Sequence, residues 1–305
     1  MSAPDLATHL ARTGLFDGVD VAALRTTRLA GLTNINYLIE YDGQRVVGRV
    51  PGDGTGEYID RRAEAVAARI AADAGVNADV LFFDPADGLM VTRFVDGAVT
   101  MDAAGFAADI AAVSRAGVAF RRLHTCGQRF ATDFKLFAMI DDYKRLLAAK
   151  GATLPIGYDD VQRAADIARQ ALAAHPVPLV PCHCDPLCEN FLDTGTRIYL
   201  IDYEYAGNND PMWDLGDLSV EGAFTAEQDD ALLAAYFDGA VPAAERARMV
   251  IHKAMCDLLW TLWGVIQHVN GNPAEDFWAY ATGRFERCRA LMSTDVFAHQ
   301  LEVLR

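Results

Sequence analysis

The hydrophobic and polar positions of this chain change their period twice. Residues 3–16 place apolar side chains at helical spacing, which predicts a short first helix ending near Gly14. From Thr26 the period shortens. Tyr37-Leu38-Ile39-Glu40-Tyr41 and the run from Arg45 to Val50 flank Asp42-Gly43, and two such runs across an Asp-Gly pair predict a hairpin. Helical spacing returns from Glu57 to Ala74, where Ile59, Ala63, Val66 and Ile70 mark one stripe and Gly75 stops it. Two further strands are predicted at residues 80–83 and 89–94, around Asp84-Pro85-Ala86-Asp87-Gly88. Beyond Val95-Asp96-Gly97 the chain turns almost wholly helical, with helices expected near 102–124, 133–149 and 159–175 and a strongly apolar one from Ile251 to Val269. That shift marks a boundary between an N-terminal part, 1–96, and a larger, mainly helical part, 97–305, so the fold class is α+β.

Residues 180–217 break the helical pattern with polar side chains set between short apolar runs. His183, Asp185 and Asn190 stand in the order H-x-D-x-x-x-x-N, the spacing of a phosphotransferase catalytic loop, in which the Asp accepts the attacking hydroxyl's proton and the Asn holds a magnesium ion. Asp202 follows the apolar run Ile198 to Ile201, at the mouth of a buried strand, after a hairpin turn at Asp193-Thr194-Gly195. Phosphoryl transfer is mostly positioning and charge neutralisation, and hard oxygen ligands such as Asn190 and Asp202 suit Mg2+. The other reading makes Asp185 and Asn190 turn residues and Asp202 a cap, since all favour such places.

Upstream, Gly31-Leu32-Thr33-Asn34-Ile35-Asn36 is a short break rich in donors. It reads either as an ordinary hairpin turn or as a loop over nucleotide phosphates, where Gly31 lets the backbone approach and Thr33, Asn34 and Asn36 donate. Arg49, on the strand that follows, is the candidate for holding the α- and β-phosphates of ATP. The strand 89–94, running into the lobe crossing, offers the backbone of Thr92, Phe94 and Val95 to an adenine.

Composition narrows the partners. The 305 residues are 52% hydrophobic, enough for a sizeable core, and 27 basic against 42 acidic residues give a net charge of −15. Such a field disfavours nucleic acid and anionic membrane surfaces, and is compatible with a cationic substrate. Six cysteines occur without C-x-x-C pairs, and no signal-peptide pattern or span of the roughly 18 apolar residues a membrane needs is seen. A reduced, cytoplasmic protein is expected. Cys182, His183, Cys184 and Cys188 lack the second ligand pair of a zinc finger or ribbon.

The stretch H-C-D-P-L-C-E-N-F-L, then I-D-Y-E-Y-A-G, then D-P-x-x-D-L-G-D resembles the choline/ethanolamine kinase branch of the aminoglycoside-phosphotransferase-like kinases. The likeness spans about residues 28 to 290 and is tight at 183–217. It implies a bilobal protein-kinase-like fold, with a small N-terminal antiparallel sheet lobe and a larger helical C-terminal lobe. It implies ATP and Mg2+, Asp185 as the catalytic residue, and Asn190 and Asp202 as metal ligands. The family-like R-x-x-E pairs Arg49 with Glu64, a pairing that periodicity does not itself aim, and Glu57 is a rival.

The acceptor would be choline or another small, cationic amino alcohol. Trp260 and Trp263, spaced i and i+3, match the family's W-x-x-W, and paired indoles attract a quaternary ammonium. The family's D-I-G-N-x-x-x-E matches Asp214 to Glu221, with Asp217 where the family has Asn, so Glu221 would face the cation and Tyr280 close the cage. The family's further tyrosine after that glutamate has no match. Helix-packing core is the other reading of these aromatics. Other acceptors (ethanolamine, thiamine, an aminoglycoside, a sugar) and a catalytically silent nucleotide-binding module stay open. His124 reads as a helix-capping histidine, and Asp210 and Asp214 either brace the catalytic loop or cap the helix near Pro211.

Overall fold

A computed structural model describes residues 3–20, 24–29, 34–52 and 59–304. The chain opens with α1 (Ala3–Ala11), then β1 (Arg25–Arg28), β2 (Ile35–Tyr41), β3 (Gln44–Val50), α2 (Arg61–Asp73), β4 (Val80–Phe83) and β5 (Met90–Arg93). The five strands form one antiparallel sheet in the order β1-β2-β3-β5-β4. Asp42 and Gly43 both take positive φ, 45° and 73°, and Tyr41 pairs with Gln44, so the Asp-Gly pair makes the two-residue hairpin expected of it. Asp60 caps α2 by accepting from the amides of Arg62 and Ala63, which sets the helix start three residues beyond the described gap at 53–58.

The rest is mainly helical: β6 (Val99–Thr100), α3 (Ala103–Ala108), α4 (Ile110–His124), α5 (Leu136–Ala149), α6 (Tyr158–Ala174), β7 (Val180–Cys182), β8 (Phe191–Asp193), β9 (Ile198–Leu200), β10 (Gly207–Asn209), α7 (Met212–Glu221), α8 (Ala226–Phe237), α9 (Ala243–Val269), α10 (Phe277–Met292) and α11 (Asp295–Val303). The single helix expected at 102–124 is two. Asp109 is extended between them, and its carboxylate takes the amide of Ala111 and the Arg115 guanidinium, local bonds that compete with a continuous helix.

Two small sheets, β6-β8-β9 and β10-β7, frame the segment between β7 and α7. The sheet lobe buries its own cluster around Leu10, Ile39, Val46 and Val91. A second cluster around Phe106, Phe120 and Phe191 also takes in Ala67, Ala68 and Ile70 of α2. The third is built on α9, whose most apolar 18-residue window is 83% buried inside the molecule, so its hydrophobicity is spent on the core.

Candidate active site

The loop after β7 is tied down from behind by one carboxylate. Asp214 of α7, fully buried, accepts from the His183 amide through Oδ2 at 2.7 Å and from the Cys184 amide through Oδ1 at 2.8 Å. His124 Nε2 meets the same Oδ2 at 3.0 Å, and the other ring nitrogen lies 3.0 Å from the Tyr236 hydroxyl. His124 is therefore not the expected helix cap. The last turn of α4 faces the core, and the imidazole bridges α7 and α8. Asp214 braces the loop, while Asp210 does the capping, accepting from the Met212 amide at 3.0 Å with one oxygen and from Arg248 Nε at 2.8 Å with the other.

His183 lies against Tyr203, and since the Ile201 carbonyl can only accept, Nε2 donates to it at 2.8 Å. Burial lowers the pKa of this ring, and so favours the neutral form. Cys184 and Asp202 adopt positive φ, 67° and 70°, in the left-handed region that costs a non-glycine residue about 1–3 kcal/mol. One strained residue precedes Asp185 and the other is Asp202 itself, the two carboxylates predicted to do the chemistry.

Asn190 closes a short 3-10 turn, Cys188–Asn190, and its Nδ2 donates to the Asp185 carbonyl at 3.1 Å, which leaves Oδ1 as the atom it has for a cation. The Ile201 amide donates to the Asn190 carbonyl at 3.0 Å, so the segment carrying Asp202 is laced to the loop carrying Asp185. Burial, then the charge of Asp202 and that of Glu221, push the Asp185 carboxyl up to about 8. Burial and the charge of Glu204, opposed by Arg49, push Asp202 up to about 7. Asp202 Oδ1 is buried with no hydrogen-bond donor among the described residues; Arg49 Nη1 is 3.6 Å away. Carboxylates crowded in this way outweigh the counter-charge that Arg49 supplies, and an oxygen-only donor set of Asn190 and Asp202 fits Mg2+.

The end expected to meet the phosphates is a chain of ion pairs. Arg49, 4% exposed, places Nη2 2.5 Å from Glu64 Oε1. Glu64 is the partner the R-x-x-E spacing implied; its rival Glu57 lies outside the described residues. Arg61 Nη1 stands 2.7 Å from both Glu64 Oε2 and Glu204 Oε1, and Asn34 Nδ2 donates to Glu204 Oε1 at 2.8 Å. Arg61 and Glu204 are functional-site residues that sequence reasoning did not assign. The signal for Glu204 was its place two residues after Asp202 in I-D-Y-E.

Gly31 and Thr33 lie outside the described residues. Asn36 pairs in register with Arg49 across β2 and β3, and Thr92 with Val47 across β5 and β3. The Phe94 amide donates to the Arg45 carbonyl at 3.1 Å, and the Val95 carbonyl receives the Ala98 amide at 3.5 Å, so the strand edge expected to meet adenine already engages these two groups.

Where the acceptor is expected, Trp260 and Trp263 of α9 meet edge to face, ring centroids 6.0 Å apart, and Trp263 meets Tyr280 of α10 at 5.8 Å. Tyr205, three residues beyond Asp202, adds a ring at 5.7 Å from Trp260 and was also missed. Glu221 is ion-paired with Arg284 of α10. α7 approaches α9 so closely that a Cβ on Gly216 would stand 2.9 Å from the Met249 carbonyl oxygen, and Glu221 is the last residue of the same α7.

Comparison with known proteins agrees with this geometry. The phosphotransferase enzyme family model matches residues 25–251. The structure of a choline/ethanolamine kinase family protein of Mesorhizobium loti is 53% identical, with a TM-score of 0.90, covering 100% of this chain and 99% of that one. A LicA structure in complex with AMP is 28% identical, with a TM-score of 0.70, over 88% of this chain and 92% of that one. Protein LicA of Haemophilus influenzae is 27% identical over 267 residues, 86% of this chain and 98% of that protein.

Proposed function

This chain belongs to the choline/ethanolamine kinase family, within the phosphotransferase enzyme family, and from that premise we propose that it transfers the γ-phosphate of ATP to the hydroxyl of choline or a related small amino alcohol. The observation that carries the reading is the lacing of Asp185, Asn190 and Asp202 into one unit, with an Asp202 oxygen left without a donor. Asp185 accepts the hydroxyl proton as the new O–P bond forms and the bond from phosphorus to the departing ADP oxygen breaks. Asn190 Oδ1 and Asp202 would hold Mg2+, which when bound offsets charge on the phosphates. Arg49, held rigid by Glu64, is aimed at the α- and β-phosphates. Trp260, Trp263 and Tyr280 wall the acceptor, with Glu221 beside them. All six cysteines are unpaired, which supports the cytoplasm as the compartment.

A coupled assay of ADP release with choline, ethanolamine and thiamine tests the reading. Magnesium-dependent turnover is expected with an amino alcohol. ATP left intact by every alcohol, in protein that melts cooperatively, would overturn it.

A further inference from the structure

One carboxylate and one ring face at the acceptor end are already occupied by the protein itself. Arg284 pairs with Glu221, lies over the Tyr280 ring with its guanidinium carbon 4.8 Å from the centroid, and reaches Asp257 Oδ1 at 3.3 Å. A cation entering this pocket therefore meets a Glu221 whose charge is offset and a Tyr280 whose face is covered.

Asp217 is differently placed. It stands four residues before Glu221, on the same side of α7, and is 1% exposed. Cys256 Sγ donates to its Oδ1 at 3.0 Å, while its Oδ2 is buried with no hydrogen-bond partner among the described residues. A carboxylate oxygen of Asp217, one of Glu221 and the Cys256 sulfur lie within 4.8 Å of one another. Cys256 is itself four residues before Trp260 on α9, so Asp217 meets the face of α9 that carries Trp260. In the D-I-G-N motif that residues 214–217 resemble, the last position carries an amide; this chain replaces it with a carboxyl. A buried carboxyl oxygen without a donor is destabilising unless a ligand supplies one.

We propose that Asp217 is a specificity-determining residue of the acceptor pocket: its Oδ2 accepts a hydrogen bond from the acceptor's ammonium N–H, so the pocket selects amino alcohols that keep a hydrogen on nitrogen over the fully quaternary one. The inference rests on the amino-alcohol kinase reading and narrows it. The indole faces of Trp260 and Trp263 attract either kind of cation and do not discriminate. A trimethylated nitrogen presents only methyl groups to Asp217 and leaves its oxygen without a donor, whereas an N–H satisfies it with a charge-assisted bond. Burial, then the charges of Glu221 and Asp185, hold the Asp217 carboxyl well above the usual carboxylate range, against the opposing effects of Cys256 and Arg284. An ammonium ion seated beside it reverses that balance.

The test is the series ethanolamine, N-methylethanolamine, N,N-dimethylethanolamine and choline, assayed by ADP release at saturating magnesium. The wild type is expected to show kcat/KM for the three N–H acceptors at least about tenfold above choline, with the difference in KM. Asp217→Asn is expected to bring that ratio towards one. A wild-type preference for choline, or a ratio that Asp217→Asn leaves unchanged, overturns the proposal. Turnover of none of the four overturns instead the kinase reading beneath it, and the proposal falls with that reading.

Inhibition of the wild type gives a second measurement that needs no variant. Propylammonium is expected to compete with ethanolamine about tenfold more tightly than ethyltrimethylammonium. Equal inhibition overturns the proposal.

Discussion

The two ends of the candidate site solve the problem of buried charge in opposite ways. At the phosphate end Arg49, Glu64, Arg61 and Glu204 alternate in sign and neutralise one another before any ligand arrives, and among the described residues a buried oxygen of Asp202, at the proposed metal position, has no hydrogen-bond donor. At the acceptor end apolar rings make most of the wall, the ion pairs of Arg284 with Glu221 and Asp257 are set to the side, and a carboxyl oxygen on Asp217 has no donor among the described residues. The phosphate end is thus preorganised by electrostatics, while the acceptor end is shaped by packing. Substitutions at the first should disturb chemistry and stability together, and those at the second should move acceptor KM alone.

The largest effect is expected where the ends meet. Asp185→Asn removes the proposed proton acceptor but keeps the volume, so kcat should fall by about 10²- to 10⁴-fold while ATP affinity, read by calorimetry, stays within about twofold. An equal loss of ATP affinity would mean that Asp185 serves the nucleotide rather than the hydroxyl.

Next comes Glu64→Gln, which leaves Arg49 and Arg61 buried with half their counter-charge. Both guanidiniums are about as enclosed as core residues, each with a side-chain exposure of 5%, so breaking the pairs should destabilise the fold by about 3–5 kcal/mol and raise the KM for ATP. Denaturant melts check the first part and initial rates the second. A variant as stable as the parent would show that the chain of pairs is not what holds the sheet lobe to the catalytic segment.

The ends also differ in how far they could be read in the sequence. The grouping of Asp185, Asn190 and Asp202 was legible because they lie within one short stretch at a spacing with a mechanism, and the indole pair because i and i+3 on a helix fixes a shared side. The Asp-Gly hairpin was legible for the same local reason. What was not legible was long-range. Arg61 meets Glu204 across 143 residues of chain, and Glu221 meets Arg284 across 63. No periodicity on α2, α7 or α10 carries that information, since a charged residue at the edge of an apolar stripe reads as solvated. His124 was misread for this reason: its place in the last turn suggested a cap, and only tertiary packing turns it toward Asp214.

At the acceptor end the effects should be smaller and confined to one substrate. Trp263→Ala deletes a half-buried ring that contacts Trp260, Phe277 and Tyr280, and should raise the acceptor KM about tenfold with the ATP KM unchanged within about twofold. Equal changes in both constants would place the indole in the core alone.

The smallest change isolates packing from chemistry. Gly264 of α9 lies beneath Tyr280: a Cβ there would come 2.7 Å from Tyr280 Cδ1 and 3.1 Å from the Ala281 Cβ, closer than carbon atoms tolerate. Gly264→Ala adds no charge and removes no hydrogen bond. It acts by pushing the Tyr280 ring and the α10 backbone at Ala281 away from α9, and with them Arg284, which is stacked on that ring and paired with Glu221. Overpacking of this kind costs about 1–3 kcal/mol. The acceptor KM should therefore rise by about three- to fivefold, a fraction of the tenfold expected from deleting a ring, while kcat and the ATP KM hold. Because the phosphate end is fixed by its own ion pairs, a methyl group on α9 has no path to it, and a matching rise in the ATP KM would mean that the two ends are mechanically one.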